Sequence, residues 1–185
     1  MKSALEMLRG FESQFEKIST EGMVPEDFNM LVFSGMGGSG IVGEIMKSYL
    51  IKNNFPKPVF SIKGYELLPF VGKDSLIVCI SYSGDTEETI SVFEQALKIG
   101  AKIISISSGG KLEALSKEHG VPHIKIPAGY PPRYALGFML NACLWLFGKE
   151  EEILDLKEDL KASSARYEEM SKDIAKALFG YVPVI

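Results

Sequence analysis

MLVFSGMGGSGIVGEIM at residues 30–46 and SLIVCISYSGDTEETISVF at 75–93 follow one plan. Each passes from an unbroken apolar run, through a turn rich in glycine and serine, into a segment of helical period. Runs that apolar do not alternate, which suits strands buried on both faces. Three further runs end in the same way: PVFSIKGY at 58–65, AKIISISSGG at 101–110 and HIKIPAG at 123–129. Between them lie helical segments at 39–52 (Ile41, Ile45, Met46), 85–99 (Ile90, Phe93, Leu97) and 111–119. Only the connection at 66–74 is too short for a helix. Strands alternating with helices predict a parallel sheet covered on both faces, because every parallel crossover must return over a face. The fold class is therefore α/β, a doubly wound, mostly parallel sheet of about five strands.

Outward from that centre, Leu5, Leu8, Phe11 and Phe15 fall three or four residues apart in 1–19 and predict an amphipathic helix with one apolar stripe. After Pro131 and Pro132, RYALGFMLNACLWLF at 133–147 is so apolar that it predicts a buried helix. A charged helix follows over 150–179, with Ile153, Leu156 and Leu160 and then Tyr167, Met170 and Ile174 on its apolar positions. YVPVI at 181–185 reads as the opening of another strand, with an edge strand of the existing sheet as the plain alternative.

Composition narrows the function classes. With 185 residues, 46% apolar and 24% charged, the chain can bury one sizeable core, which excludes disordered, collagen-like and disulfide-scaffold classes. A net charge of −4 offers no diffuse attraction for a polyanion, so nucleic acid is not an expected partner. Cys79 and Cys143 each sit inside an apolar run, as buried thiols of a reducing compartment do. The N-terminus carries no apolar signal region and no stretch is long enough to span a bilayer, so the expectation is a soluble, cytoplasmic protein without membrane partners. No spacing of His, Cys, Asp and Glu suggests a metal, and no cofactor is expected.

In open α/β sheets ligands bind beyond the carboxyl ends of the strands, where helix N-termini present unpaired amides. Ser34-Gly35-Met36-Gly37-Gly38-Ser39-Gly40 is one such turn. It lacks the lysine of a Walker loop; Gly35, Gly37 and Gly40 do fit G-x-G-x-x-G, so a dinucleotide loop and a plain tight turn both stay open. The second turn, Ser81-Tyr82-Ser83-Gly84-Asp85-Thr86, places the hydroxyls of Ser81, Ser83 and Thr86 around a helix start, a setting that suits a phosphomonoester. Asp85, Glu87 and Glu88 share that first turn and are expected to point outward and cap. Arg133 opens an apolar helix directly after two prolines that fix its direction. His119 and His123 read as surface or packing residues.

Taken together, MGGSG, SYSGDT and PPRYALG, in that order, resemble the sugar isomerase (SIS) domain, and within it the bifunctional phosphoglucose/phosphomannose isomerases of archaea and some bacteria. The likeness covers about residues 25–148. It implies that Gly37, Gly38 and Ser39 line the sugar side of a pocket, that Ser81, Ser83 and Thr86 hold the phosphate, and that Arg133 is the active-site arginine. It implies interconversion of glucose 6-phosphate or mannose 6-phosphate with fructose 6-phosphate through a cis-enediol. The same resemblance places the general base, a glutamate, in a second SIS domain, and brings a histidine for ring opening from beyond this region. The implied organisation is an SIS domain at 1–148, a connecting helix at 149–180 and the start of a second SIS domain at 181–185. Because one five-stranded sheet has limited surface to cover the stripe at 1–19, the helix at 133–147 and the apolar side of 150–179, a homodimer or association with that second domain is expected. A single-domain hexulose-phosphate isomerase and a non-catalytic sugar-phosphate-sensing module are the alternatives.

Overall fold

The computed structural model describes residues 4–18 and 24–181. Strands β1 (Met30–Ser34), β2 (Val59–Ile62), β3 (Ser75–Ile80), β4 (Lys102–Ser107) and β5 (His123–Lys125) form one sheet in the order β2-β1-β3-β4-β5. Every neighbouring pair is parallel. The helices are α1 (Ala4–Arg9), α2 (Gly37–Lys52), α3 (Glu87–Lys98), α4 (Gly110–Glu118), α5 (Leu136–Leu146) and α6 (Glu150–Leu178).

The order reverses between β1 and β3. The crossover through α2 leads outward to β2, whereas those through α3 and α4 lead the opposite way to β4 and β5. Because parallel crossovers are right-handed, the two directions put their helices on opposite faces. Side chains of the central strands sort by the period of two. Leu31, Phe33, Leu76, Val78 and Ile80 join Met46 of α2 and Met139 of α5 in one core. Val32, Ile77 and Cys79 join Phe93 of α3 and Leu112 of α4 in the other. Burial on both faces is why β3 reads SLIVCI without a polar residue after Ser75. The connection from β2 to β3 forms no helix and covers the α3-side core with Leu67, Leu68 and Val71.

At the N-terminus the expected single helix is two pieces. Gly10 separates α1 from a 3-10 turn at Phe11–Gln14, and the change of direction breaks the apolar stripe. Phe15 is buried, but Leu5 and Leu8 remain 49% and 57% exposed, which corrects the expectation that all four apolar residues share one buried face. The helix expected at 133–147 begins as a 3-10 turn, Pro132–Tyr134, and becomes α-helical at Leu136. Within α6, Ile153 is buried and Leu156 and Leu160 pack on the α2-side core, while Tyr167, Met170 and Ile174 are exposed. The Arg9–Glu168 and Lys157–Glu16 ion pairs, 2.6 and 2.7 Å, tie α6 to the N-terminal segment. Apart from Tyr181, the strand expected at 181–185 lies outside the described residues.

Both cysteines are free and buried, as their apolar runs required. Burial pushes the Cys79 thiol up to about 12 and raises that of Cys143 as well. Among the described residues no helix is long and apolar enough to cross a membrane.

Candidate functional site

Three loops meet at the carboxyl ends of the strands. The first leaves β1 at Ser34 and is pressed against its neighbours by glycine. A Cβ on Gly40 would stand 2.6 Å from the Gly35 carbonyl oxygen, and one on Gly35 would stand 2.9 Å from the Ile80 carbonyl oxygen at the end of β3. Gly37 instead takes a positive φ of 51° with open space where a side chain would be, so backbone is what this turn presents to solvent. Ser39 faces inward. It is 8% exposed, its hydroxyl donates to the Met139 sulfur at 3.3 Å, and it accepts the Tyr82 N–H at 3.2 Å.

The second loop leaves β3 and is built on hydroxyls. Ser81 is fully buried; its Oγ accepts the Gly84 N–H at 3.1 Å and lies 2.9 Å from Thr86 Oγ1. Ser83 is exposed and accepts the Asp85 N–H at 3.2 Å. Thr86 is half-buried at the N-cap of α3, a 12-residue helix whose first amides have no partner within the helix. Asp85 does not cap that helix. Its carboxylate accepts the Lys111 N–H of α4 at 2.8 Å, so it caps the neighbouring helix and leaves the start of α3 clear. Glu87 accepts from the Tyr65 hydroxyl at 3.4 Å, and the charges of Glu88 and, less strongly, Glu87 hold that phenol above its ordinary range. Asp85 and Glu87 are thus exposed and turned to partners away from the helix start, although Asp85 serves a different helix from the one expected.

The third loop carries Arg133. Pro131 is extended and Pro132–Tyr134 forms a 3-10 turn that stands over the start of α2. The Pro132 carbonyl oxygen lies 3.6 Å from the Cβ position of Gly38. A cleft of about 410 Å³ opens there, lined by Gly38, Ile41, Pro132, Arg133 and Leu136. The structure therefore brings Gly38 and Arg133 to one cleft beside the open backbone of Gly37. Ser83 and Thr86 stand at the same end of the sheet but outside that lining, joined to it through the Ser39–Tyr82 contact. Ser39 and Ser81 spend their hydroxyls within the protein.

Among the described residues no acid or histidine lines the cleft. Glu44 pairs with Lys47 and Lys63 at 3.8 and 4.0 Å, and His119 caps the far end of α4, towards the amino end of the sheet. His123 packs as anticipated, half-buried with Nδ1 2.8 Å from Ser105 Oγ. The described residues contain no group of three or more His, Cys, Asp or Glu that could hold a metal. Missed by sequence reasoning is Gln14, 1% exposed, which donates to the Tyr134 carbonyl at 2.6 Å. A lone glutamine in an amphipathic segment gives no signal of that reach.

An open parallel α/β domain with its ligand end at the β1/β3 reversal is the class these features define. The model of the SIS domain family matches residues 27–132, and the chain belongs to that family. It is 43% identical over 187 residues to the bifunctional phosphoglucose/phosphomannose isomerase of Aquifex aeolicus, covering 100% of this chain and 58% of that protein. It is 34% identical to the protein of the same name from Caldicellulosiruptor bescii, covering 86% of this chain and 51% of that one. The fold is also that of tagatose-6-phosphate ketose/aldose isomerase from Escherichia coli, with a TM-score of 0.70 at 15% identity over 96% of this chain and 56% of that one. The chain thus spans between half and three-fifths of the length of these relatives.

Proposed function

We propose that this chain forms the phosphosugar-binding part of an aldose–ketose isomerase acting on glucose 6-phosphate or mannose 6-phosphate and fructose 6-phosphate. The observation that carries the reading is the Arg133 turn seated over the glycine loop, with the Pro132 carbonyl 3.6 Å from the Cβ position of Gly38. Identity along the whole chain to isomerases of that name supports it.

In this reading the phosphate binds at the start of α3, to its free amides and to the hydroxyls of Ser83 and Thr86, where the helix dipole favours an anion. Ser39 and Ser81 support the same site from beneath by fixing the two loops. The open sugar chain extends towards Gly37 and Gly38, and Arg133 faces the carbons that react. During isomerisation a base removes the proton from C2 of the aldose, and that electron pair forms the C1–C2 double bond while the π pair of the C1 carbonyl moves onto its oxygen, which takes a proton to give the cis-enediol. The C2 hydroxyl then gives up its proton and becomes the ketone oxygen as the double-bond pair takes a proton at C1. Negative charge gathers on the substrate oxygens in that interval, and a fixed guanidinium stabilises it. Among the described residues no acid or histidine lines the cleft, which supports what the resemblance implies: after the domain at 1–148 and the connecting helix at 149–180, the base comes from another SIS unit, a second domain or a partner copy. The exposed apolar positions of α6, Tyr167, Met170 and Ile174, are consistent with such a neighbour.

Calorimetric titration with fructose 6-phosphate tests the assignment. Ser83→Ala and Thr86→Ala should each weaken binding by about 1–3 kcal/mol, the worth of one charge-assisted hydrogen bond. Unchanged affinity in both would move the phosphate elsewhere. A second reading, a non-catalytic sugar-phosphate sensor, is favoured by the lack of an acid or histidine among the described residues that line the cleft, and predicts the same binding losses without turnover in any assembly.

A further inference from the structure

The turn that carries Arg133 is short, exposed and led by two prolines, yet it is held from both sides by buried polar groups distant in sequence. On one side is Gln14. Its Nε2 donates to the Tyr134 carbonyl at 2.6 Å, and its Oε1 accepts the Phe138 N–H at 3.1 Å in the first turn of α5. Gly137 allows this approach, since a Cβ there would stand 2.7 Å from Gln14 Oε1. On the other side is Tyr82, 7% exposed, whose hydroxyl donates to the Pro127 carbonyl at 3.1 Å and accepts the Tyr130 N–H at 3.0 Å. The Tyr82 backbone is fixed in turn: its N–H donates to Ser39, and its carbonyl accepts from the N–H and hydroxyl of Ser108.

These two side chains do more than satisfy themselves. Each bonds to backbone groups within a few residues of Arg133, Tyr82 before the turn and Gln14 after it. A chain segment pinned at both ends by groups with no freedom to rotate loses its alternatives before any ligand arrives, which is what preorganisation requires. We infer that Gln14 and Tyr82 are positioning residues that hold the Arg133 turn over the N-terminus of α2 and thereby set where the guanidinium meets the sugar. The inference rests on the reading of Arg133 given above. It assigns part of the site's geometry to the N-terminal segment, which the family match, beginning at residue 27, does not include.

The test combines binding with amide exchange on the 185-residue chain and its Tyr82→Phe, Gln14→Met and Arg133→Ala variants. Tyr82→Phe and Gln14→Met should each weaken fructose 6-phosphate binding about fivefold to tenfold while inorganic phosphate, seated on α3, binds within twofold of the parent. In the Arg133→Ala background neither change should cost anything further. The Tyr134 and Ala135 amides, bonded to the Pro131 and Pro132 carbonyls, should exchange at least tenfold faster, with the β1 and β3 amides still protected. Unchanged exchange at 134 and 135, or losses that add fully to that of Arg133→Ala, would overturn the positioning role. If Arg133→Ala alone binds fructose 6-phosphate as well as the parent, the reading of the site fails instead, and exchange at 134 and 135 by itself decides for or against Gln14 and Tyr82. Should Gln14→Met not fold, Tyr82→Phe, which keeps the ring, carries the test alone.

Discussion

The loops after β1 and β3 lie side by side, and they are held together differently. The first is backbone pressed on backbone, with Gly35 and Gly40 excluding side chains and Gly37 left open. The second adds to one such contact, Gly84 against the Gly109 carbonyl, a set of hydroxyls and amides bonded to one another with Ser81 at its centre. In the proposed reading, what each offers a ligand is the part that its own construction leaves towards solvent: Gly37 and Gly38 in the first, Ser83, Thr86 and the start of α3 in the second. A glycine or serine in such a loop is therefore not a contact residue by virtue of its type. Gly40, Ser39 and Ser81 build; Gly37, Gly38 and Ser83 present.

The sharpest way to break this comparison is to add a methyl group to glycines of the two kinds. At Gly84, φ is +80° and a Cβ would overlap the Gly109 carbonyl. Gly84→Ala should cost upwards of about 3 kcal/mol, combining overpacking with left-handed strain. At Gly37 only the strain applies, and Gly37→Ala should cost about 1 kcal/mol. Urea unfolding measures both, and equal losses would show that the loops are not packed as described.

A smaller effect separates the serines. Ser81→Ala leaves the Gly84 N–H without its side-chain acceptor and Thr86 without its neighbour, and should destabilise the fold by about 2 kcal/mol. Ser83→Ala should change stability by less than about 0.5 kcal/mol, because water replaces an exposed hydroxyl, and should show its cost only in ligand affinity. If the two variants unfold at the same urea concentration, the division into building and presenting hydroxyls is wrong.

The smallest effect lies away from the site and serves as its control. Burial lowers the pKa of His123, with Lys125 adding to this and Glu113 opposing it. The unfolded chain then takes up the proton first as the pH falls. Stability should be full above about 6.5 and decline as the pH drops below it towards the folded value. Urea midpoints at about pH 7.5 and 5.5 check this: the parent should lose stability over that interval and a His123→Gln variant should lose less.

How far the sequence disclosed this arrangement depends on the range of the interactions. Apolar runs and helical spacing are local, so the five strands, the helices of the sheet and the buried helix after Pro132 were all legible. The doubly wound class was legible too, but the strand order was not: the reversal between β1 and β3 is seen only in the structure. Gly10 was visible, but its effect was not: whether a glycine interrupts a helix depends on what the following turn packs against, here Phe15 in the α2-side core. For the same reason the sequence placed Ser81, Ser83 and Thr86 at one helix start but could not say which hydroxyls would be spent there. Asp85 reaching Lys111 and Gln14 reaching Tyr134 span 26 and 120 residues, and nothing in the neighbouring sequence marks either.

The central claim is that one ligand spans both loops, phosphate on the β3 side and sugar on the β1 side under Arg133. A crystal structure of the chain with fructose 6-phosphate tests it most directly. The account predicts phosphate oxygens on the first amides of α3 with Ser83 and Thr86, and sugar oxygens facing Gly37, Gly38 and the Arg133 guanidinium. Phosphate bound to Arg133 with the start of α3 empty, or the ligand seated away from the carboxyl ends of β1 and β3, would contradict it.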